Sequence, residues 1–247
     1  MGERLKNPPL VEAVSVLGFH SEDSWDWTVP GRLYDQVKSD YPAREELRAV
    51  RLPVAPSGSI AAGQEQVVER LRFKKTDGTA MVQCGPRLLV VNHLPPYPGW
   101  EAFKTRIMAA FSAYEKVVGE CRVVRVELRY INRMPTTPGE SPGAKLVLFP
   151  ELPTPLAKPV ASFFQHYELR YEETSSPGTL VHRSGTVADP GGSSLMLDLA
   201  HVVEIHDGLS DRDRLEGWLD TAHDRVHEAF VASIPKELYR ALKEGNP

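Results

Sequence analysis

A chain of 247 residues that is 41% hydrophobic and 25% charged has the composition of an ordinary folded protein, which excludes a disordered or fibrous chain. Its 29 Lys and Arg residues against 33 Asp and Glu residues give a formal net charge of -4, so nonspecific attraction to nucleic acid is not expected. No stretch resembles a signal peptide or a membrane span. Two cysteines without metal-ligand spacing, Cys84 and Cys121, fit a reducing compartment, and we expect a cytoplasmic protein with no membrane association.

The chain begins with a predicted buried strand and a short helix. Residues 10–19 are apolar at both alternating sets of positions, apart from Glu12, as expected of a strand covered on both faces. An amphipathic spacing over 33–41 predicts a helix that Pro42 ends. The Pro-, Gly-, Ala- and Ser-rich stretch 53–63 predicts a loop.

Three strand-like runs follow at 67–75, 79–84 and 88–94. They are separated by the dipeptides Asp77-Gly78 and Gly85-Pro86. Glycine supplies a positive φ and proline fixes its own φ, so both dipeptides favour tight turns. The three runs therefore predict an antiparallel meander.

A helix and a long strand are predicted next. The helix carries large apolar side chains at intervals of three and four, which predicts one buried face: Trp100, Phe103, Ile107, Phe111 and Tyr114. The strand at 122–133 alternates between an apolar set and a charged set. The apolar set is Val124, Val126, Leu128 and Tyr130, and the other set is Arg125, Glu127, Arg129, Ile131 and Arg133.

The same plan recurs after a proline-rich connector. Strand candidates at 163–173, 179–188 and 194–205 are separated by turn sequences. A helix then buries Leu215, Leu219, Ala222, Val226 and Phe230, with Ser210 as its predicted N-cap.

The sequence thus predicts an α+β fold of two antiparallel β-meander-plus-helix units. Their bounds are 1–134 for the first half, 135–160 for the connector and 161–247 for the second half. The two units would form one pseudo-symmetric domain or a continuous sheet with helices packed on it, and we favour the continuous sheet. The tetrapeptide Glu-Leu-Arg-Tyr occurs at 127–130 and 168–171, but at different places in the two units.

Several strings together resemble a sporadically distributed, functionally uncharacterised family of bacterial proteins of about this length. They are Asn-Pro-Pro-Leu-Val-Glu-Ala at 7–13, Val-Gln-Cys-Gly-Pro at 82–86, the stretches 91–94 and 97–100, Leu-Arg-Tyr-Ile-Asn-Arg at 128–133, and the closing helix 223–230. The resemblance spans most of the chain in order. It implies the scattered distribution of mobile or defence-related genes, and it implies no particular reaction, cofactor or catalytic residue.

The best candidates for binding combine aromatic and arginine side chains, which are the usual anchors of protein interfaces and of small anionic ligand pockets. They are Asn92, Tyr97, Trp100, Arg129, Asn132 and Arg133. A purely structural interpretation is also open. In that interpretation Trp100 begins the buried face of its helix, and Arg129 pairs with Glu12 inside the sheet.

Candidates for catalysis are sparse. His223 and His227 are spaced as two metal ligands, but the sequence places no third ligand, and we expect no metal and no cofactor. Asp198 lies in an apolar run, where burying a carboxylate without a partner would be costly. Alternation along the strand would instead turn it outward. No second carboxylate or nucleophile accompanies it. Neither glycine-rich stretch has phosphate-loop spacing.

Three hypotheses of function remain open at this point. The first is a non-catalytic interaction or regulatory protein of a bacterial defence or toxin-antitoxin module, with a protein partner. The second is a metal-dependent enzyme that acts on a nucleotide or a phosphorylated small molecule near Arg129 and Arg133. The third is an RNA-binding protein that stacks bases on Tyr130 and Tyr171, which the net acidity disfavours. Homo-oligomers are left open as well.

Overall fold

The computed structural model describes residues 5–51, 65–137, 139–150, 152–156, 158–172, 177–189 and 192–245. Over these ranges the chain forms one open nine-stranded antiparallel sheet with four α-helices. This is the predicted α+β class, and the single sheet confirms the preference for a continuous one. The loop predicted at 53–63 lies outside the described residues.

The strands are β1 (Leu10–Phe19), β2 (Ala43–Arg51), β3 (Glu65–Lys74), β4 (Ala80–Gly85), β5 (Leu88–His93), β6 (Val123–Thr136), β7 (Phe164–Tyr171), β8 (Gly178–Asp189) and β9 (Gly192–Leu209). The helices are α1 (Val29–Val37), α2 (Trp100–Val118), α3 (Arg212–Ser233) and α4 (Lys236–Glu244). Two single-turn 3-10 segments, Pro142–Ala144 and Thr154–Leu156, lie in the connector.

The strand order is β2-β3-β4-β5-β1-β6-β9-β8-β7. The runs β3-β4-β5 and β7-β8-β9 are both antiparallel meanders, as their turn sequences predicted. β1 and β6 are neighbours in the middle of the sheet, where β1 pairs with β5 and β6 pairs with β9. β2 and β7 form the two edges.

The helices pack on one face of the sheet and cover its apolar side chains. Phe103, Ile107 and Phe111 of α2 belong to the same buried cluster as Leu128 of β6, and Val226 of α3 belongs to a second buried cluster. The helix faces predicted from spacing are therefore the buried faces. Trp100 is the exception, because it is only partly buried at the start of α2.

Two local predictions are corrected by the structure, which also shows a strand that was not predicted. α1 begins at Val29, four residues before the predicted start, because Pro30 fits the first turn of a helix, where no backbone N–H is needed. Asp211, not Ser210, caps α3: its carboxylate accepts hydrogen bonds from the backbone N–H groups of Asp213 and Arg214. β2 was not predicted, because a charged edge strand lacks the apolar alternation that identifies strands.

The connector is tied to the helix face at one point. Leu146 is buried in the second cluster, and the backbone N–H of Val147 donates to the carbonyl of Ser233 at the end of α3. Cys84 and Cys121 are both buried and unpaired, as expected of small core residues. Among the helices described, none is long and apolar enough to cross a membrane.

His201 is a buried titratable group beneath α3. Neither of its ring nitrogens has a hydrogen-bond partner among the described residues. Burial, together with the nearby positive charge of Arg225, lowers the pKa of His201 to about 4. The folded protein therefore holds this imidazole neutral at pH values at which the unfolded chain protonates it.

This lowered pKa predicts a loss of stability in mild acid. An unfolded histidine titrates near pH 6.5, so the contribution of His201 is present above that pH and is lost as the pH falls from about 6.5 towards 4. Between pH 7 and pH 5 we expect His201 to account for a loss of about 2 kcal/mol in the free energy of unfolding. Urea unfolding of the wild type and of His201→Leu at both pH values measures this difference, and equal losses in the two proteins would contradict it.

Candidate interaction surface

The second face of the sheet carries no helix among the described residues, and we call it the open face. The side chains that alternate away from the helices lie on it, including Arg125, Arg129 and Arg133 of β6. Because directly opposed residues in antiparallel strands share a face, the pairing places Asp198 and Arg183 there as well. The charged set predicted for β6 is therefore displayed on the open face.

A hydrogen-bonded polar row crosses the middle of this face. The amide of Gln83 on β4 donates to Oδ1 of Asn92 on β5, at 2.6 Å. The amide of Asn92 donates in turn to Oε1 of Glu12 on β1, at 2.8 Å. Gln83 and Asn92 are buried although no helix covers them, so each needs these partners.

The row continues as a buried ion pair between β6 and β9. Nε and Nη2 of Arg129 donate to the two carboxylate oxygens of Asp198, at 2.7 and 2.6 Å. Arg183 of β8 approaches the same carboxylate, at 3.4 Å. Only 1% of Asp198 is exposed, and its hydrogen bond raises the pKa of the Arg129 guanidinium above its usual value.

Two predictions are corrected by this geometry. Arg129 pairs with Asp198 and not with Glu12, which accepts from Asn92 instead. Asp198 does lie on the face away from the helices, but it is buried there by its arginine partners. Arg133 pairs with Asp189. Arg129 and Arg133 are therefore both paired with carboxylates of the same chain.

A groove of about 600 Å³ lies on the open face where β6, β9, β8 and β7 run side by side. Its volume is within the range of ligand-binding clefts. Val181, Ala200 and Val202 line its apolar part. The charged side chains around them comprise three arginines and four glutamates: Arg125, Arg170, Arg183, Glu127, Glu168, Glu172 and Glu204.

The charges of the groove are partly paired with one another. Arg125 donates to Glu127 at 2.8 Å and also to Glu204. Burial lowers the pKa of Arg125, but the hydrogen bonds and charges of the two glutamates outweigh that effect and raise it. Arg170, on β7, has no ion-pair or hydrogen-bond partner among the described residues. The β7 side of the groove therefore offers an unpaired cation beside the exposed acids Glu168 and Glu172.

The six residues predicted to bind lie on both sides of the sheet. Asn92, Arg129 and Arg133 are on the open face. Tyr97, Trp100 and Asn132 are on the helix-covered side. There the Tyr97 hydroxyl shares a 2.7 Å hydrogen bond with that of Tyr130, and Asn132 donates to the carbonyl of Leu197.

Trp100 contributes to the contact between α2 and α3. Its indole N–H donates to Oδ1 of Asp220, at 2.7 Å, and its ring stacks on that of His223, at 4.5 Å between centroids. Lys104 donates to the same carboxylate. These contacts join the two long helices, so the structure gives Trp100 a packing role.

The aromatic residues of the RNA hypothesis lie on the helix-covered side too. Tyr130 is held against Tyr97, and Tyr171 faces the guanidinium of Arg225 at 4.0 Å. His223 and His227 stack on each other. Within the described ranges no three His, Cys, Asp or Glu side chains are grouped so that they could hold a metal ion.

Sequence reasoning did not single out the exposed edge strand β7. Phe164 is 64% exposed, Leu169 is 50% exposed and Tyr167 is 42% exposed. These side chains project from both faces of a strand that pairs only with β8. The available signal was that Tyr167, Leu169 and Tyr171 alternate on one face of the strand. Only the strand order shows that, among the described residues, this strand has no neighbour on its outer side.

Fold and surface together define an α+β protein with an open antiparallel sheet, one polar uncovered face and one apolar edge. Searches with the sequence found no matching protein-family model and no matching curated protein.

Proposed function

We propose that the protein is a non-catalytic interaction protein that binds an extended segment of a partner protein in the groove of the open face. The observation that carries this proposal is the groove itself, about 600 Å³ in volume, with an apolar floor between charged walls of both signs. An extended peptide places alternate side chains towards such a floor and its remaining groups towards the walls. The mixed walls favour a segment that carries both acidic and basic residues.

The state of the charged residues supports binding over catalysis. Asp198 is 1% exposed, and its charge and that of Arg129 neutralise each other in a bidentate pair. A general acid or base must instead be free to exchange a proton with a substrate. The groove thus offers shape and charge complementarity, which are the means by which protein interfaces select partners.

We further propose that the partner belongs to a bacterial defence or toxin-antitoxin module, with this chain as its regulator or antitoxin. This part of the proposal rests on the family resemblance of the sequence. It makes the product of the adjacent gene the partner to test first.

The resemblance between the two halves of the chain supports a further proposal, that they are pseudo-symmetric copies. Superposing the Cα atoms of β3 to α2 on those of β7 to α3 tests that relation, and strands that do not superpose in this order would contradict it.

Filling the groove is expected to abolish partner binding. Thr179 lines the groove on β8, and Thr179→Trp would place an indole over its floor while keeping a residue that favours strands. We expect the wild type to retain the co-expressed product of the adjacent gene on an affinity column, and the variant to bind it at least about tenfold more weakly, as for loss of a central contact.

The matched control is Val187→Trp, on the same strand and the same face but outside the groove. It should bind the partner like the wild type. Thermal unfolding of the three proteins separates loss of binding from loss of fold. Equal binding by the wild type and Thr179→Trp would rule out the groove as the site.

A further inference from the structure

We propose that the β7 edge is a self-association surface, at which β7 pairs antiparallel with β7 of a second copy about a two-fold axis through Leu169. The two nine-stranded sheets would then join into one. This inference goes beyond the groove and its partner, because it concerns the outer side of β7 and another molecule of this chain.

The two edges of the sheet differ in a way that favours β7. Five of the nine residues of β2 are charged, and charge on an edge strand is a common protection against pairing with another chain. β7 has the sequence Phe-Gln-His-Tyr-Glu-Leu-Arg-Tyr, in which four of eight residues are leucine or aromatic. An unprotected apolar edge of this kind is a template for strand addition.

The charge pattern of β7 suits this register. With Leu169 on the axis, Glu168 of each copy lies opposite Arg170 of the other, and His166 lies opposite Glu172. Every charged position on the open face then meets an opposite or protonatable partner. A shift of the axis to Glu168 or to Arg170 would place like charges directly opposite each other, which destabilises antiparallel pairs.

The same register joins apolar side chains on the other face. Leu169 would meet Leu169 of the second copy, and Tyr167 would meet Tyr171. In the single chain Leu169 and Tyr167 lie beyond the cover of the helices, and both are exposed. Pairing would remove this apolar surface from water. It would also bring Arg170, which has no ion-pair or hydrogen-bond partner within the described ranges, together with an acid.

The register can be tested by charge exchange. In Glu168→Arg the pair becomes two arginines, and in Arg170→Glu it becomes two glutamates, so each variant alone should self-associate at least about tenfold more weakly than the wild type. A mixture of the two variants restores both opposite-charge pairs in this register. We expect the wild type to sediment as a dimer, each variant alone to sediment as a monomer, and the equimolar mixture to form a heterodimer.

These measurements use the full chain in analytical ultracentrifugation, with circular dichroism to verify the fold. Glu168 and Arg170 are exposed, so neither change should disturb folding. Thr179→Trp should remain dimeric, which separates this inference from groove binding. A monomeric wild type would overturn the proposal, as would two variants that stay dimeric or a mixture that does not associate.

Discussion

Replacing Arg129 by leucine is expected to lower the free energy of unfolding by about 3 to 5 kcal/mol, the usual cost of removing one partner from a buried ion pair. The carboxylate of Asp198, which is 1% exposed in the intact protein, would keep only the 3.4 Å contact to Arg183 in place of two short hydrogen bonds. A buried charge without adequate partners is among the few causes of so large an effect. Urea denaturation at neutral pH measures it.

Two control variants test whether the loss of stability comes from leaving Asp198 without its partner. Asp198→Leu should cost less, about 1 to 2 kcal/mol, because the Arg129 side chain is 35% exposed and water can solvate its charge. The double variant Arg129→Leu with Asp198→Leu should lie within about 1 kcal/mol of the wild type, since apolar groups can replace a buried pair at little cost. A loss below about 1 kcal/mol for Arg129→Leu would show that the pair is not desolvated.

Phe111→Ala is expected to destabilise the protein by about 3 to 5 kcal/mol, the range for truncating a buried aromatic side chain. Phe111 is 1% exposed at the centre of α2, where its ring stacks parallel to that of Phe19, at 6.3 Å between centroids. Its removal would leave a cavity between α2 and β1. Chemical denaturation in urea or guanidinium chloride is the measurement.

Two further variants of α2 separate the cavity from other effects on the helix. Phe111→Leu keeps most of the apolar volume and should cost less than about 2 kcal/mol. Thr105→Ala, at an exposed position of the same helix, should change stability by no more than about 0.5 kcal/mol. An effect of Phe111→Ala as small as that of Thr105→Ala would show that this face of α2 is not core.

The order of the strands in the two meanders could be predicted because it depends on local chemistry. Asp77-Gly78 fixes a reversal between β3 and β4 wherever the pair lies in the fold, since Gly78 adopts the positive φ that such a turn requires. β1 could likewise be predicted as a strand from its apolar run, but its predicted cover on both faces was wrong: Ala13 and Leu17 face the core, whereas Val14 and Val16 lie on the open face and are only partly buried. β2 could not, because its charged residues resemble those of a loop.

The candidate sites could be predicted only in part. The sequence indicated that Arg129 and Arg133 share a face, because successive side chains of a strand point to opposite faces. It could not show that Asp198, 69 residues away, is the partner of Arg129, because that pairing depends on the register between β6 and β9. Tyr97 and Trp100 were grouped with the arginines because aromatic and arginine side chains together are typical of binding surfaces, whereas the sheet separates them.

The sequence by itself determined the class of the fold, the helix faces that are buried and the two meanders, because periodicity and turn chemistry act over a few residues. Only the tertiary structure decided which strands are central and which lie at the edges, because this follows from pairings between residues far apart in the chain. That long-range order leaves one face of the sheet uncovered, forms the groove and exposes β7.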